Sequence, residues 1–289
     1  MFVASGPDVL TVAHILLQKA RSLTQTHKGR LGPTLDLGVA EIGLSSPRTA
    51  LLGTVDPNRN EARVAARLAQ LFGGYCDPEL LAHHDPTIRS RIVLDGSTYD
   101  GGYGPSLALQ LPRVAEHLAR YPDTRRAIVW LAETPKDLNA IDVPTVFGMQ
   151  FRVARSHLDA IVYSRSLDFM NSLSVDAAIF SAILDLVAFE VSVPIGALTI
   201  VAGSCHAHSH DIEGFERWRS ITELPPIDAS LVQLRQELDS LRRLEAAMVG
   251  SCQRGLPAPA IPARTGSGFA TWVADRLSAS HAAHAASSI

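Results

Sequence analysis

Cysteine is scarce. The chain of 289 residues has three, Cys76, Cys205 and Cys252, far apart and without paired spacing. This excludes a disulfide framework and a cysteine-rich zinc site, and it predicts a reducing, cytoplasmic setting. Long apolar runs are also missing. No stretch of about 18 uncharged apolar residues occurs, so no membrane span is expected. The first residues lack a basic segment followed by an apolar core, so no secretory signal is expected. Excess positive charge is absent as well: 26 Lys and Arg stand against 29 Asp and Glu, a formal net charge of −3. Nucleic-acid binding is therefore not expected, and any anion site must be a local arginine cluster.

What is present is an apolar fraction of 46% arranged in alternating periodicities. Apolar side chains at helical intervals predict helices over 8–24, 60–73, 106–120 and 175–190. The second ends at Gly73-Gly74, a common helix stop. The last is apolar on nearly every side and is expected to be buried. Strands are predicted within 35–55, with a break at Ser45-Ser46-Pro47, and over 126–132, 146–154, 157–165 and 195–206. Along 229–248, Leu231, Leu234, Leu238, Leu241 and Leu244 share one face of a charged helix. That face serves either to dock on the body of the protein or to pair in a coiled coil. The order is mixed α+β without internal repeat. One domain is expected over 1–275, with 276–289 a disordered, frayed tail rich in Ala and Ser.

Residues 126–153, "RAIVWLAETPKDLNAIDVPTVFGMQFRV", sit among a set of ordered motifs. These are "YPDTRRAIV" (121–129), "PTVFGMQF" (144–151), "YSRSLD" (163–168), "VD" (175–176) and "GSCHAHSH" (203–210), with weaker matches in "RLGPT", "SPRTALL", "RNEA" and "YGPS" upstream. In order and spacing they resemble the thymidylate synthase and pyrimidine-nucleotide hydroxymethylase family. The resemblance implies an α+β fold with a mixed β-sheet packed by helices, and a homodimer formed across that sheet with shared sites. It implies a pyrimidine nucleoside monophosphate as substrate and 5,10-methylenetetrahydrofolate as one-carbon donor.

Residue roles follow from the same resemblance. Arg30, Arg125, Arg126, Arg165 and Ser166 would hold phosphate, with Arg125 and Arg126 reaching across the dimer. The residue types suit this task, because a phosphate needs converging cations and hydroxyls. A solvated strand edge is the other reading for Arg125-Arg126, and a surface ion pair for Arg165 and Ser166. Gln150 and Asp168 join the substrate set. Asp176 stands where relatives acting on uracil carry asparagine. A carboxylate accepts from the cytosine amino group, so CMP or dCMP is favoured. The alternative for Asp176 is a helix N-cap. His206 matches a histidine near base or sugar, His208 replaces a sugar-contacting tyrosine, and Tyr103 would order water.

Three departures fall on the reaction centre. The family's attacking cysteine is replaced by Thr145, and the histidine after it by Val146. An alcohol attacks only beside a dedicated base, whereas a thiol ionises near neutral pH. The family glutamate of the helix before Gly73 aligns with Ala66; Glu61 serves only in a shifted register. Cys205 points away from His206 on a strand and reads as a core thiol. His206, His208 and His210 share a strand face, but no carboxylate stands at a convincing companion spacing, so no metal is expected. The expectation is either a nucleotide enzyme with C5 one-carbon transfer or cysteine-independent chemistry, or a non-catalytic nucleotide-binding subunit.

Overall fold

The computed structural model describes residues 1–23, 26–29, 32–48, 51–53, 57–88, 102–132, 143–217, 219–253 and 266–287. Its largest sheet has six strands. They are β1 (Phe2–Gly6), β4 (Ala40–Leu44), β10 (Ile195–Ala202), β8 (His157–Ser164), β7 (Val146–Ala154) and β6 (Ile128–Trp130), in that spatial order. β1–β4 and β10–β8 run parallel and the other pairs antiparallel, so the sheet is mixed.

Strand alternation gives this sheet two different faces. One cross-strand row is Ala4, Ile42, Ile200, Val162, Met149 and Val129, all buried. It packs against α1 (Val9–Arg21) and α5 (Leu173–Glu190). The next row is Val3, Glu41, Val201, Tyr163, Gly148 and Trp130. Val3, Tyr163 and Trp130 in it are exposed, Trp130 at 63%. Asp8 caps α1 by accepting from the Thr11 amide at 2.7 Å. Helix α5 is buried along nearly its whole length, as its all-round apolar sequence predicts.

A second sheet orders β2 (His27–Gly29), β3 (Gly32–Asp36), β11 (Cys205–His208) and β9 (Leu167–Asp168). A two-stranded ribbon pairs β5 (Leu51–Gly53) with β12 (Arg219–Thr222). The single strand expected over 195–206 is in fact two strands in two sheets. The Gly203 amide bonds the Ser164 carbonyl at 2.9 Å and the Ser204 amide bonds the Arg165 carbonyl at 3.1 Å. These bonds turn the chain from β10 into β11 beside the parallel step from β8 to β9.

The remaining helices are α2 (Pro57–Gly73), α3 (Pro78–His84), α4 (Gly104–Arg120), α6 (Leu231–Gln253) and α7 (Gly268–Ser287). Leu231, Leu234, Leu238 and Leu241 of α6 are buried, so its leucine face docks on this chain and forms no coiled-coil seam. The tail expected to be disordered from 276 is instead the second half of α7. Apolar periodicity there is diluted by alanine, yet Phe269, Val273, Leu277 and His281 are buried, and Phe269 meets Phe72 of α2 at 5.7 Å between ring centroids. Packing against α2 supplies what composition did not advertise.

Candidate active site

Thr145 stands just before β7, and its position is set by backbone. Its carbonyl accepts from the Arg165 amide at 2.8 Å and the Ser164 hydroxyl at 2.9 Å. The Arg165 guanidinium donates to the carbonyls of Val143 at 2.8 Å and Pro144 at 3.1 Å. β7 then carries a bulge, since Val146 pairs Ser164 while Gly148 pairs Tyr163, leaving Phe147 extra. Bulges re-aim the chain beside functional sites.

Thr145 lines a pocket with Tyr103, Asp176, Arg67, Gln70 and Phe180 among its walls. The Tyr103 hydroxyl accepts from the Val146 amide at 3.4 Å, so it sits beside the threonine. The helix α5 begins after its N-cap Ser172. Asp176 is therefore one turn inside the helix, and the N-cap alternative fails. There it faces the pocket as an acid in the first turn, which the helix dipole favours.

No cysteine and no histidine lines this pocket among the described residues. Cys205 is fully buried in β11, and burial, with Asp36 and Asp168 nearby, pushes its thiol up to about 12. It is a core thiol, as expected. Ala66 is 2% exposed in the core, and Glu61 is buried in an ion pair with Arg276 of α7. Neither faces the pocket. The α2 side chains that do are Arg67, Gln70 and Leu71, and the two polar ones carry no signal in the motifs. Arg67 and Arg63 both pair with the buried Asp85, at 3.3 Å and 3.0 Å. Gln70 bonds the Asp77 amide and carbonyl at 2.9 Å and 2.8 Å, fixing the turn after Gly74. Gly74 takes a φ of +73°, the left-handed stop predicted for this helix.

Gly104, at the start of α4, packs against that turn without room for a side chain. A Cβ there would fall on the carbonyl oxygens of Tyr75 and Gln70. Gly104→Ala should therefore cost about 2–3 kcal/mol through overpacking. Thermal melts should show a fall of several degrees, and an unchanged melt would refute the close packing of this pocket wall.

The other expected substrate residues lie apart from this lining. Ser166 Oγ is 3.5 Å from His206 Nδ1. Parallel pairing of β9 with β11 sets Asp168 beside His206, and the His208 imidazole is 3.8 Å from the Asp168 carboxylate. Donor atoms of Asp168, His206 and His208 lie within 4.8 Å of one another. The companion carboxylate that sequence spacing did not offer is thus delivered by strand pairing. Asp168 is already engaged: it accepts from the amides of Met170 and Asn171 at 3.0 Å and 3.1 Å. Arg125 and Arg126 are exposed. Gln150 bridges the Arg125 carbonyl at 3.0 Å and the Tyr163 hydroxyl at 2.8 Å on the open sheet face. Arg30 lies outside the described residues.

The fold is a mixed sheet covered by helices on one face, with a pocket at the entry to β7. It is the fold of thymidylate synthase from phage T4, with a TM-score of 0.60 over 78% of this chain and 90% of that one, at 20% identity. Residues 105–247 match the family model for thymidylate synthase. A segment of 105 residues is 30% identical to thymidylate synthase of Listeria monocytogenes serotype 4b, covering 36% of this chain and 33% of that protein. Another of 109 residues is 29% identical to the bifunctional dihydrofolate reductase-thymidylate synthase of Paramecium tetraurelia, covering 37% and 23%. The chain thus aligns with between about a quarter and a third of the length of these curated relatives. Over its middle part the chain is similar to thymidylate synthases, and it shares their fold.

Proposed function

We propose that the chain binds a pyrimidine nucleoside 5′-monophosphate, CMP or dCMP in preference to UMP or dUMP, and acts on it without a sulfur adduct at ring carbon six. The observation that carries this reading is the pocket itself. It keeps a hydroxyl at the nucleophile position, a tyrosine hydroxyl next to it and a carboxylate in the wall, yet no thiol or imidazole stands among its described lining residues. Among the described lining residues no imidazole stands beside Thr145 to remove its proton, so this reading gives the threonine an orienting role.

Asp176 accepts from the cytosine amino group. Arg165, which holds the Val143–Pro144 carbonyls with two of its donors, has further N–H groups for phosphate. Ser166, His206 and His208 contact sugar or phosphate, and Asp168 positions His208. The second chain of a homodimer supplies Arg125 and Arg126. The exposed row from Val3 to Trp130 supports such pairing, because an aromatic sheet face of this kind is a surface that a second copy covers.

5,10-Methylenetetrahydrofolate is the one-carbon donor this reading would use for C5 transfer. Every lining residue of the pocket comes from 67–180, so no later described segment closes over it. No step here is routed through that cofactor. With no thiol among the described lining residues, a cysteine-independent conversion of the nucleotide is the branch this reading takes. Loss of both the cysteine and the family glutamate also favours a second reading, a non-catalytic nucleotide-binding subunit.

One experiment separates these. The purified chain is incubated with CMP, dCMP, UMP or dUMP, with and without methylenetetrahydrofolate, and products are followed by mass. A changed cytosine nucleotide without folate supports the proposal. A one-carbon gain only with folate restores the family reaction, and binding without change supports the non-catalytic reading.

A further inference from the structure

Away from the pocket, three helices converge on a second polar cluster that sequence reasoning did not find. His84 ends α3, Glu245 lies on α6 and His281 on α7. Their exposures are 2%, 3% and 4%. One donor atom from each lies within 4.8 Å of the other two. His84 Nε2 is 2.9 Å from Glu245 Oε1. His84 Nδ1 is 3.0 Å from the Ser280 hydroxyl. Among the described residues, neither ring nitrogen of the buried His281 has a hydrogen-bond partner.

We propose that His84, Glu245 and His281 bind a zinc ion that ties α7 to α3 and α6. Two imidazoles and one carboxylate are a donor set for zinc, with a fourth position left to water. The His84–Glu245 separation is close to the roughly 3.3 Å edge of a tetrahedron built on bonds of about 2.0–2.1 Å. If His84 binds through Nε2, its Nδ1–H donates to Ser280. This is the outer hydrogen bond that commonly fixes a ligating imidazole.

A buried His281 with both nitrogens idle is costly, and an ion would satisfy one of them. His83 lies 4.4 Å from the rings of both His281 and His284, so further imidazoles crowd the cluster. The three side chains are buried and none lines the pocket, so the ion would clamp helices rather than meet substrate. Metal binding then contributes directly to folding.

The full chain is dialysed against chelator, reloaded with Zn2+, freed of excess metal and measured for zinc per chain and melting temperature. One equivalent that depends on His281 is expected, together with a raised melting temperature. His281→Phe keeps a ring in the packed site and should weaken zinc binding by roughly 100-fold, at or beyond the upper end of what losing an outer hydrogen bond costs. The same variant should abolish the melting shift and the tetrahedral d–d absorption of a Co2+-loaded sample. Glu245→Gln gives the same readout should the phenylalanine variant misfold. The double change His206→Ala, His208→Ala should leave this equivalent in place. Absence of zinc uptake by the unsubstituted chain overturns the proposal. So does uptake that survives His281→Phe and vanishes in the His206, His208 pair.

Discussion

Asp85→Asn should lower stability by about 3 kcal/mol, the lower end of the cost of breaking a buried ion pair. The carboxylate is fully buried and answers to two arginines. The lower end applies because Arg63 and Arg67 keep 18% and 21% side-chain exposure. Burial alone would raise this carboxyl, but Arg63, Arg67 and the Thr87 hydroxyl overturn that and hold it below the ordinary range. A depressed carboxyl contributes stability that is complete above its unfolded pKa, near 3.9. That contribution is lost as pH falls through the lower folded value. Chemical denaturation followed from pH 7 into the acid range should therefore show a decline for the unsubstituted chain that is shallower in Asp85→Asn. Parallel profiles would refute the assignment. Because Arg67 also lines the pocket, the variant should weaken nucleotide binding as well.

Asp176→Asn should turn the base preference over. A carboxylate accepts from the cytosine amino group, and when protonated it also donates to N3. An amide offers the donor and acceptor that uracil matches. Discrimination of about 1–3 kcal/mol for a bidentate base contact predicts a change of roughly 100-fold in the ratio of CMP to UMP affinity. Equilibrium dialysis of both nucleotides against both proteins measures it. An unchanged ratio would reduce Asp176 to an acid in the first turn of α5, valued only for the helix dipole.

The apolar periodicities of α1, α2, α4 and α5 and the alternation of β7 and β8 were legible because each element buries one face, or nearly all of itself, in a continuous core. The frayed tail was misread because alanine-rich sequence carries little period; α2 packs against it through Phe72. The break at Gly203-Ser204 falls inside one apolar stretch; the buried positions shift from Leu198, Ile200 and Ala202 to Cys205 and Ala207 across it, and bonds to Ser164 and Arg165 divide the two strands.

At the site, the motifs located Thr145, Tyr103 and Asp176 in one pocket. They did not reveal Arg67 and Gln70, since a helix register one residue off moves Ala66 out and Arg67 in. Clusters assembled from distant segments were the least legible. Asp168 meets His208 only through strand pairing, and His84, Glu245 and His281 come from three helices. A spacing rule applied along one chain does not find such sets.

The central claim is that this pocket holds a pyrimidine monophosphate without a thiol beside the base. Calorimetric titration of the chain with CMP, and separately with cytidine, addresses it directly. The account predicts saturable binding of one nucleotide per chain, with cytidine roughly 100-fold weaker for want of the phosphate's charge-assisted bonds, each about 1.5–3 kcal/mol. No binding of CMP or of any other pyrimidine monophosphate would contradict it.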